Sequence, residues 1–440
     1  MSGIFKAYDI RGIYGQDLDE ATAEKIGRAF VTFLKCRKVV VGRDMRPHSQ
    51  PLFEALTRGL MLQGADVIDL GLCSTPMLYY GNGSLEADGG IMITASHNPG
   101  EWNGFKLCRR QAVPISGQTG IAEIEQLVRA NRFQPASRPG TMTTHDVQQA
   151  YTAHIKKFTT LQRPIRIAVD YANAMGILEA RALTGLVEIT PLFDTLDGSF
   201  PNHEANPLKT ETLADLQKLI RAGQYDFGAA FDGDADRVGF VDEQGNIVPM
   251  DLISALISTI MLKRAPGSNI LYDLRSSWVV KETIEQNGGK PHMCRVGHAF
   301  IKQHMRELQA VFAGELSGHY YFKDNFYTES SALAVLAVAD IIAQSGKPLS
   351  QLIKPLQRYA KSDEINSKVS DTGAVLRLLK AKYAHGDVME LDGLSVTFPD
   401  WWFNVRASNT EPLIRLNLEA RTPEILQKHT EALLKEIRSQ

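Results

Sequence analysis

Cysteine is scarce in this chain: four in 440 residues, Cys36, Cys73, Cys108 and Cys294, with no C-x-x-C pair. Structural zinc and a disulfide framework are therefore not expected, and a reducing, cytoplasmic setting is. An excess of one charge is also missing. The formal net charge is −2, so no global field favours nucleic acid or an anionic membrane, and any anionic ligand must be held by local clusters. No apolar run reaches the ~18 residues of a membrane-spanning helix. The opening Met1-Ser2-Gly3-Ile4-Phe5-Lys6 lacks the apolar core of a targeting signal. Neither nucleic acid nor membrane is expected as a partner.

What the chain does contain is apolar material in a regular order. Hydrophobic residues make up 44% and charged residues 22%, enough for several cores, and several domains of about 100–200 residues each are expected. Strand-like runs alternate with helix-like segments. Lys38–Gly42, Ala65–Leu70, Ile165–Asp170, Phe227–Phe231 and Asn269–Asp273 read as strands, and residues 50–63, 175–186 and 276–287 as helices between them. This alternation predicts three successive α/β blocks. The last block differs: a helix over 371–382, short strands at Val396–Phe398 and Leu413–Glu419 with half-exposed alternation, and an amphipathic helix over 423–438 predict an antiparallel α+β unit. The expected domains are 1–142, 143–246, 247–359 and 360–440.

Four motifs carry chemistry. Thr94-Ala95-Ser96-His97-Asn98-Pro99 follows the apolar run Gly90–Ile93. A buried strand ending in a polar turn displays its last side chains at the sheet edge, where ligands bind in open α/β sheets. A serine there can carry a transferred group, although a capped turn would use the same residue types. Asp232-Gly233-Asp234-Ala235-Asp236-Arg237 sets three carboxylates at alternate positions, suited to one hard cation such as magnesium. An EF-hand would place glycine where Arg237 stands, and the flanking residues read as strands. Gly314-Glu315-Leu316-Ser317-Gly318-His319 brackets a carboxylate and a hydroxyl with glycines, a pattern suited to vicinal sugar hydroxyls or, more plainly, to a capped turn. Arg406-Ala407-Ser408-Asn409-Thr410-Glu411-Pro412 is a donor-rich loop in which Arg406 can grip phosphate oxygens and Ser408, Asn409 and Thr410 complete a cradle. Arg11, Lys106 and His298 stand beside further glycine turns.

These motifs, in this order, resemble those of the α-D-phosphohexomutase superfamily, and the likeness runs from residue 9 to residue 412. The resemblance implies four domains around a central cleft, three of related α/β fold and a smaller fourth. It implies that Ser96 is a phosphoserine, that Asp232, Asp234 and Asp236 bind Mg2+ with an oxygen of that phosphoserine, and that Arg237 and Arg275 contact substrate. Glu315 and Ser317 would read sugar hydroxyls, and Arg406, Ser408, Asn409 and Thr410 the non-reacting phosphate. Arg11, Lys106, His298 and His319 match positions of substrate contact or proton transfer. Trp102 and Arg275 depart from the usual tyrosine and lysine.

The implied reaction moves phosphate between O6 and O1 of a hexose, mannose or glucose, through a hexose 1,6-bisphosphate that reorients and also serves as activator. The implied partners are small hexose phosphates, and the implied state is a monomer or weak dimer. A phosphoglucosamine mutase and a magnesium-dependent sugar-phosphate phosphatase are the alternatives. Lys106 or a histidine would act as base where neighbouring positive charge lowers its pKa.

Overall fold

The computed structural model describes residues 3–161, 163–407 and 413–439. Its strands form four sheets, and the first three share one wiring. The first sheet contains β1 (Ile10–Ile13), β2 (Lys38–Arg43), β3 (Asp66–Leu72), β4 (Gly89–Ile93), β5 (Trp102–Arg109) and β6 (Met142–Thr144), in the order β1-β5-β4-β2-β3-β6. The second contains β7 (Arg166–Asp170), β8 (Glu188–Leu192), β9 (Phe227–Phe231), β10 (Val238–Asp242) and β11 (Ile247–Val248), ordered β11-β10-β9-β7-β8. The third contains β12 (Asn269–Asp273), β13 (Lys290–Cys294), β14 (Phe312–Gly314), β15 (Tyr320–Phe322) and β16 (Thr328–Glu329), ordered β13-β12-β14-β15-β16.

In each of these sheets three parallel strands are followed by a hairpin back to an antiparallel strand: β4 to β5, β9 to β10, and β14 to β15. Parallel strands covered on both faces read as continuous apolar runs, and β4, Gly-Gly-Ile-Met-Ile, is buried at every position.

The fourth sheet is antiparallel. It contains β17 (Ala360–Lys361), β18 (Ile365–Lys368), β19 (Asp387–Met389), β20 (Leu394–Thr397), β21 (Trp401–Ala407) and β22 (Leu413–Ala420), with β17 and β18 both pairing β22. It has a core of its own around Val375, Phe403, Leu416 and Leu433. By contrast, one core runs through the first three sheets, from Val40 and Met92 to Phe231, Leu252 and Tyr320. The apolar helix Ser331–Ser345 lies within it. Among the described residues no single helix is long and apolar enough to cross a membrane.

Two local expectations are corrected. The helix expected over 175–186 is a short α-helical turn, Gly176–Glu179, that tightens into a 3₁₀ turn at Ala180–Leu183. Left-handed Ala172 and Asn173 before it and Gly185 after it leave room for two turns only. β22 was expected to alternate between buried and exposed, but its second half is buried throughout. Two polar side chains are covered there: Asn417 Nδ2 donates to Glu364 at 3.3 Å, and the Glu419 carboxylate accepts from the Trp278 N–H and from Trp402 Nε1, each at 2.9 Å, which ties the fourth sheet to the helix Trp278–Gln286. All four cysteines are buried and free.

Candidate active site

The three hairpins at the equivalent place in the first three sheets hold three of the four motifs. The β4–β5 connection carries Ser96, β9–β10 carries Asp232 to Arg237, and β14–β15 carries Glu315 to His319.

Ser96 is held in an uncommon backbone conformation. Its φ is +52°, in the left-handed region that non-glycine residues seldom occupy, and its N–H donates to Thr94 Oγ1 at 2.9 Å. Arg46 over-determines the turn. Its guanidinium donates to four backbone carbonyls, those of Ser96 (2.9 Å), Asn98 (2.6 Å), Pro99 (2.6 Å) and Trp102 (3.0 Å), and its Nε to Asp44 (3.1 Å). Arg11 adds bonds to the Ala95 carbonyl (3.2 Å) and to Asn98 Oδ1 (2.5 Å), braced by Asp9. Ser96 Oγ, buried, donates to Asp232 Oδ2 at 2.8 Å. The hairpins meet so closely that a Cβ on Gly233 would lie 2.2 Å from the Ser96 carbonyl oxygen.

Asp232, Asp234 and Asp236 bring carboxylate oxygens within 4.8 Å of one another, and all three are buried. The loop lies between strands, not helices, which removes the EF-hand reading. Lys106 Nζ reaches Asp234 Oδ2 at 2.6 Å and also pairs with Asp236. Three buried carboxylates this close repel one another. Burial and the neighbouring Asp236 and Asp234 push Asp232 up to about 8. Asp234 Oδ1 is buried without a hydrogen-bond partner, and Asp236 Oδ1 faces His319 Nε2 at 3.2 Å. A buried, all-oxygen carboxylate cluster with an unpartnered acceptor on Asp234 fits a hard divalent cation.

Around this centre stand the other expected residues. His319 lies between Asp236 Oδ1 (Nε2, 3.2 Å) and Glu315 Oε2 (Nδ1, 3.3 Å), with Ser317 Oγ 2.8 Å from Nδ1. Burial lowers its pKa, but Asp236 and Glu315 together outweigh that and raise it to about 9. Burial would raise Glu315, yet His319, Arg275 and the Tyr321 hydroxyl, which donates at 2.9 Å, hold it well below the usual carboxylate range. Arg237 donates its N–H to Asp232 Oδ1 at 3.2 Å, and its Nε lies 3.3 Å from His319 Nε2. Arg275 is paired to Asp273 and lies 3.6 Å from Glu315.

Glu364 joins the fourth unit to this group: Arg406 Nη2 donates to it at 2.7 Å and Arg275 Nη1 lies 3.7 Å away. Ser408, Asn409 and Thr410 lie outside the described residues.

The groups expected to transfer protons differ from one another. Lys106 does not meet the condition for a base: burial pulls its pKa down, but Asp234 and Asp236 together hold it above its ordinary value. His298 goes the other way, pushed well below its ordinary value by burial and then by Lys302. Its Nδ1 lies 3.6 Å from Glu329 Oε1, and Glu329 binds fully buried Lys302 through both oxygens at 3.0 Å. Arg46 and the Lys302–Glu329 pair were not singled out in the sequence. Arg46 closes a polar turn after a strand, and only the neighbouring of β2 and β4 aims it at Ser96.

The chain matches the sequence profiles of phosphoglucomutase/phosphomannomutase alpha/beta/alpha domains I, II and III over residues 2–135, 149–245 and 249–359, and of the family's C-terminal domain over 364–436. It is 39% identical over 446 residues to a phosphomannomutase of Escherichia coli, covering 98% of both chains. It is also 39% identical over 437 residues to a phosphomannomutase of Methanocaldococcus jannaschii, covering 98% of this chain and 96% of that one. The crystal structure of a phosphoglucomutase/phosphomannomutase family protein from Burkholderia thailandensis superposes with a TM-score of 0.92 at 33% identity, over 99% of this chain and 96% of that one. The four sheets, the buried acidic cluster and these full-length likenesses lead to one conclusion: the chain belongs to the phosphoglucomutase/phosphomannomutase family and is an enzyme of the phosphohexomutase class.

Proposed function

We propose that the chain interconverts mannose 6-phosphate and mannose 1-phosphate, and the glucose phosphates alongside, through a phosphoserine at Ser96. The observation that carries this reading is the 2.8 Å bond from Ser96 Oγ to Asp232 Oδ2, which joins a buried, backbone-clamped nucleophile to a carboxylate cluster on another sheet. Two of the relatives above are phosphomannomutases by name, which supports mannose as the sugar.

In this reading the free hydroxyl of the sugar, O1 or O6, attacks the phosphorus carried by Ser96. The new P–O bond forms as the bond to Ser96 Oγ breaks, and a hexose 1,6-bisphosphate results. The bisphosphate reorients, and Ser96 Oγ takes back the other phosphoryl group. Phosphoryl transfer is catalysed mainly by positioning and charge stabilisation. Asp232, Asp234 and Asp236 would hold a magnesium ion, with an oxygen of the phosphorylated Ser96, and such an ion supplies neutralisation of phosphoryl charge.

The residues divide the remaining work. Arg11, Lys106 and Arg237 offer donors to phosphoryl oxygens from around the Ser96 turn. His298 accepts the proton of the attacking hydroxyl. Glu329 beside Nδ1 favours the tautomer with its proton there and leaves Nε2 as the acceptor. His319, held as a cation, orients Glu315 and Ser317 toward the sugar hydroxyls. Arg275 and Arg406, with Ser408, Asn409 and Thr410, hold the phosphate that is not reacting. Such a pocket reads phosphate alone, so it serves both orientations, and weak reading of O2 admits both manno and gluco sugars.

Added hexose 1,6-bisphosphate acts as an activator by restoring phosphate to Ser96. The product would feed GDP-mannose and polysaccharide synthesis in the cytoplasm, from a monomer or weak dimer. The domain limits 142/143, 246/247 and 359/360 belong to the same proposal. The test is Ser96→Ala, assayed with mannose 1-phosphate and added bisphosphate. Turnover is expected to fall by roughly a thousandfold or more, the scale of losing a nucleophile. Near-wild-type turnover would overturn the reading.

A further inference from the structure

Thr75 opens the helix Thr75–Ser84, the residue after the N-cap Ser74, and belongs to none of the four motifs. It is fully buried, 159 residues from Asp234 in the chain, and grips that residue twice. Its N–H donates to the Asp234 carbonyl at 2.9 Å, and its Oγ1 donates to Asp234 Oδ2 at 2.5 Å.

The grip is rigid at its own end. Ser74 Oγ accepts the N–H of Met77 at 3.2 Å and donates to Glu179 Oε2 at 2.7 Å. Glu179, also fully buried, accepts from Tyr151 OH at 2.7 Å and from the Ala332 N–H at 3.2 Å. Thr75 is therefore fixed by its helix cap, and β-branching restricts its χ1 further.

The consequence falls on the two oxygens of Asp234. Oδ2 receives both donors, Thr75 Oγ1 and Lys106 Nζ at 2.6 Å, while Oδ1 is buried with no hydrogen-bond partner. An unpartnered carboxylate oxygen in a buried site is costly unless a cation meets it. Lys106 alone would not settle which oxygen stays free. It sits on a flexible stem and is shared with Asp236.

We propose that Thr75 is a positioning residue for the metal site: its hydroxyl holds Asp234 Oδ2 so that Oδ1 is presented to the divalent cation. The proposal rests on the reading of Asp232, Asp234 and Asp236 as metal ligands. Partners that orient a ligand in this way typically contribute tenfold to hundredfold in metal affinity.

The experiment is direct Mn2+ binding, read by the loss of the free-ion electron paramagnetic resonance signal, on the full-length wild type, Thr75→Val and Thr75→Ser. Thermal melting of each protein in chelator accompanies it. Thr75→Val keeps the shape and removes the hydroxyl, and its Mn2+ dissociation constant is expected to rise roughly tenfold to a hundredfold. Thr75→Ser restores a hydroxyl and is expected to bind within about threefold of wild type, well inside the range that a lost orienting partner produces. Metal-free melting of the two variants is expected to match, because both keep the backbone clamp on the Asp234 carbonyl. Should Thr75→Val fail to fold, Thr75→Ala repeats the test with no added bulk.

Wild-type affinity in the hydroxyl-less variant would overturn the role of Thr75 while leaving the metal site standing. Equal weakening in Thr75→Ser would overturn it too. No Mn2+ binding by the wild type would overturn the metal reading itself, and the Thr75 role with it.

Discussion

Ser96 Oγ and Asp232 Oδ2 are 2.8 Å apart although 136 residues separate them in the chain. Each sits at the tip of a hairpin leaving the third parallel strand of its own sheet, β4 for Ser96 and β9 for Asp232. Glu315 and His319 occupy the corresponding hairpin of the third sheet. One wiring, used three times, brings a serine, a carboxylate cluster and the Glu315–His319 loop to one point.

Gly233 is where two of these hairpins touch. A methyl there would stand 2.2 Å from the backbone oxygen of Ser96, a contact that backbone cannot absorb without moving. Gly233→Ala is expected to separate Ser96 from the carboxylates by a fraction of an ångström or more. Misplacement on the 1 Å scale costs about a hundredfold in rate. Steady-state assays should show that loss, with the melting temperature lowered by only a few degrees, as for a change of about 1 kcal/mol.

Arg46 makes its contribution through shape as well as charge. Its side chain is fully buried, and only a planar guanidinium can reach Asp44 and four carbonyls together. Arg46→Lys keeps the charge but leaves several buried carbonyls without donors, at about 1–3 kcal/mol each. Urea denaturation is expected to show a loss on the order of 3 kcal/mol, and Ser96 should lose its left-handed conformation and its reactivity with it.

Glu179 gives the protein a pH dependence of stability. Burial outweighs the donors of Ser74, Tyr151 and the Ala332 N–H and raises it from 4.5 to about 7. Tyr151, the titratable group facing it, is itself pushed well above 10.0 and stays neutral. Between these limits the folded protein holds a proton that the unfolded chain has released, so unfolding releases protons and stability falls as pH rises from about 4.5 to about 7. At about 1.4 kcal/mol per tenfold in proton affinity, the group's share is on the order of 3 kcal/mol. Glu179→Gln cannot titrate, so its denaturation midpoint is expected to change less with pH across that window. An unchanged slope would contradict the assignment.

Much of this was legible in the sequence because the parallel strands are buried on both faces. Runs such as Gly89–Ile93 and Phe227–Phe231 declare themselves by apolarity, and the polar turns that follow them must then lie at the sheet edge. The three-plus-one division of the chain followed from the same patterning. What stayed hidden depends on which strands become neighbours. Arg46 reaches Ser96 because β2 pairs with β4. Lys302 meets Glu329, and Thr75 meets Asp234, only after the sheets have assembled. Lys106 shows the same limit in its charge state. From sequence it reads, with the histidines, as a base only where positive charge lowers its pKa, and the two aspartates that raise it come from another sheet.

In the proposed reaction Ser96 carries the phosphoryl group. The most direct measurement is mass spectrometry of the intact wild-type chain after incubation with glucose 1,6-bisphosphate, followed by peptide mapping. The account predicts a mass gain of one phosphoryl group, located on the peptide that contains Ser96 and absent from Ser96→Ala. An active enzyme that gains no phosphoryl group, or gains it at another residue, would contradict it.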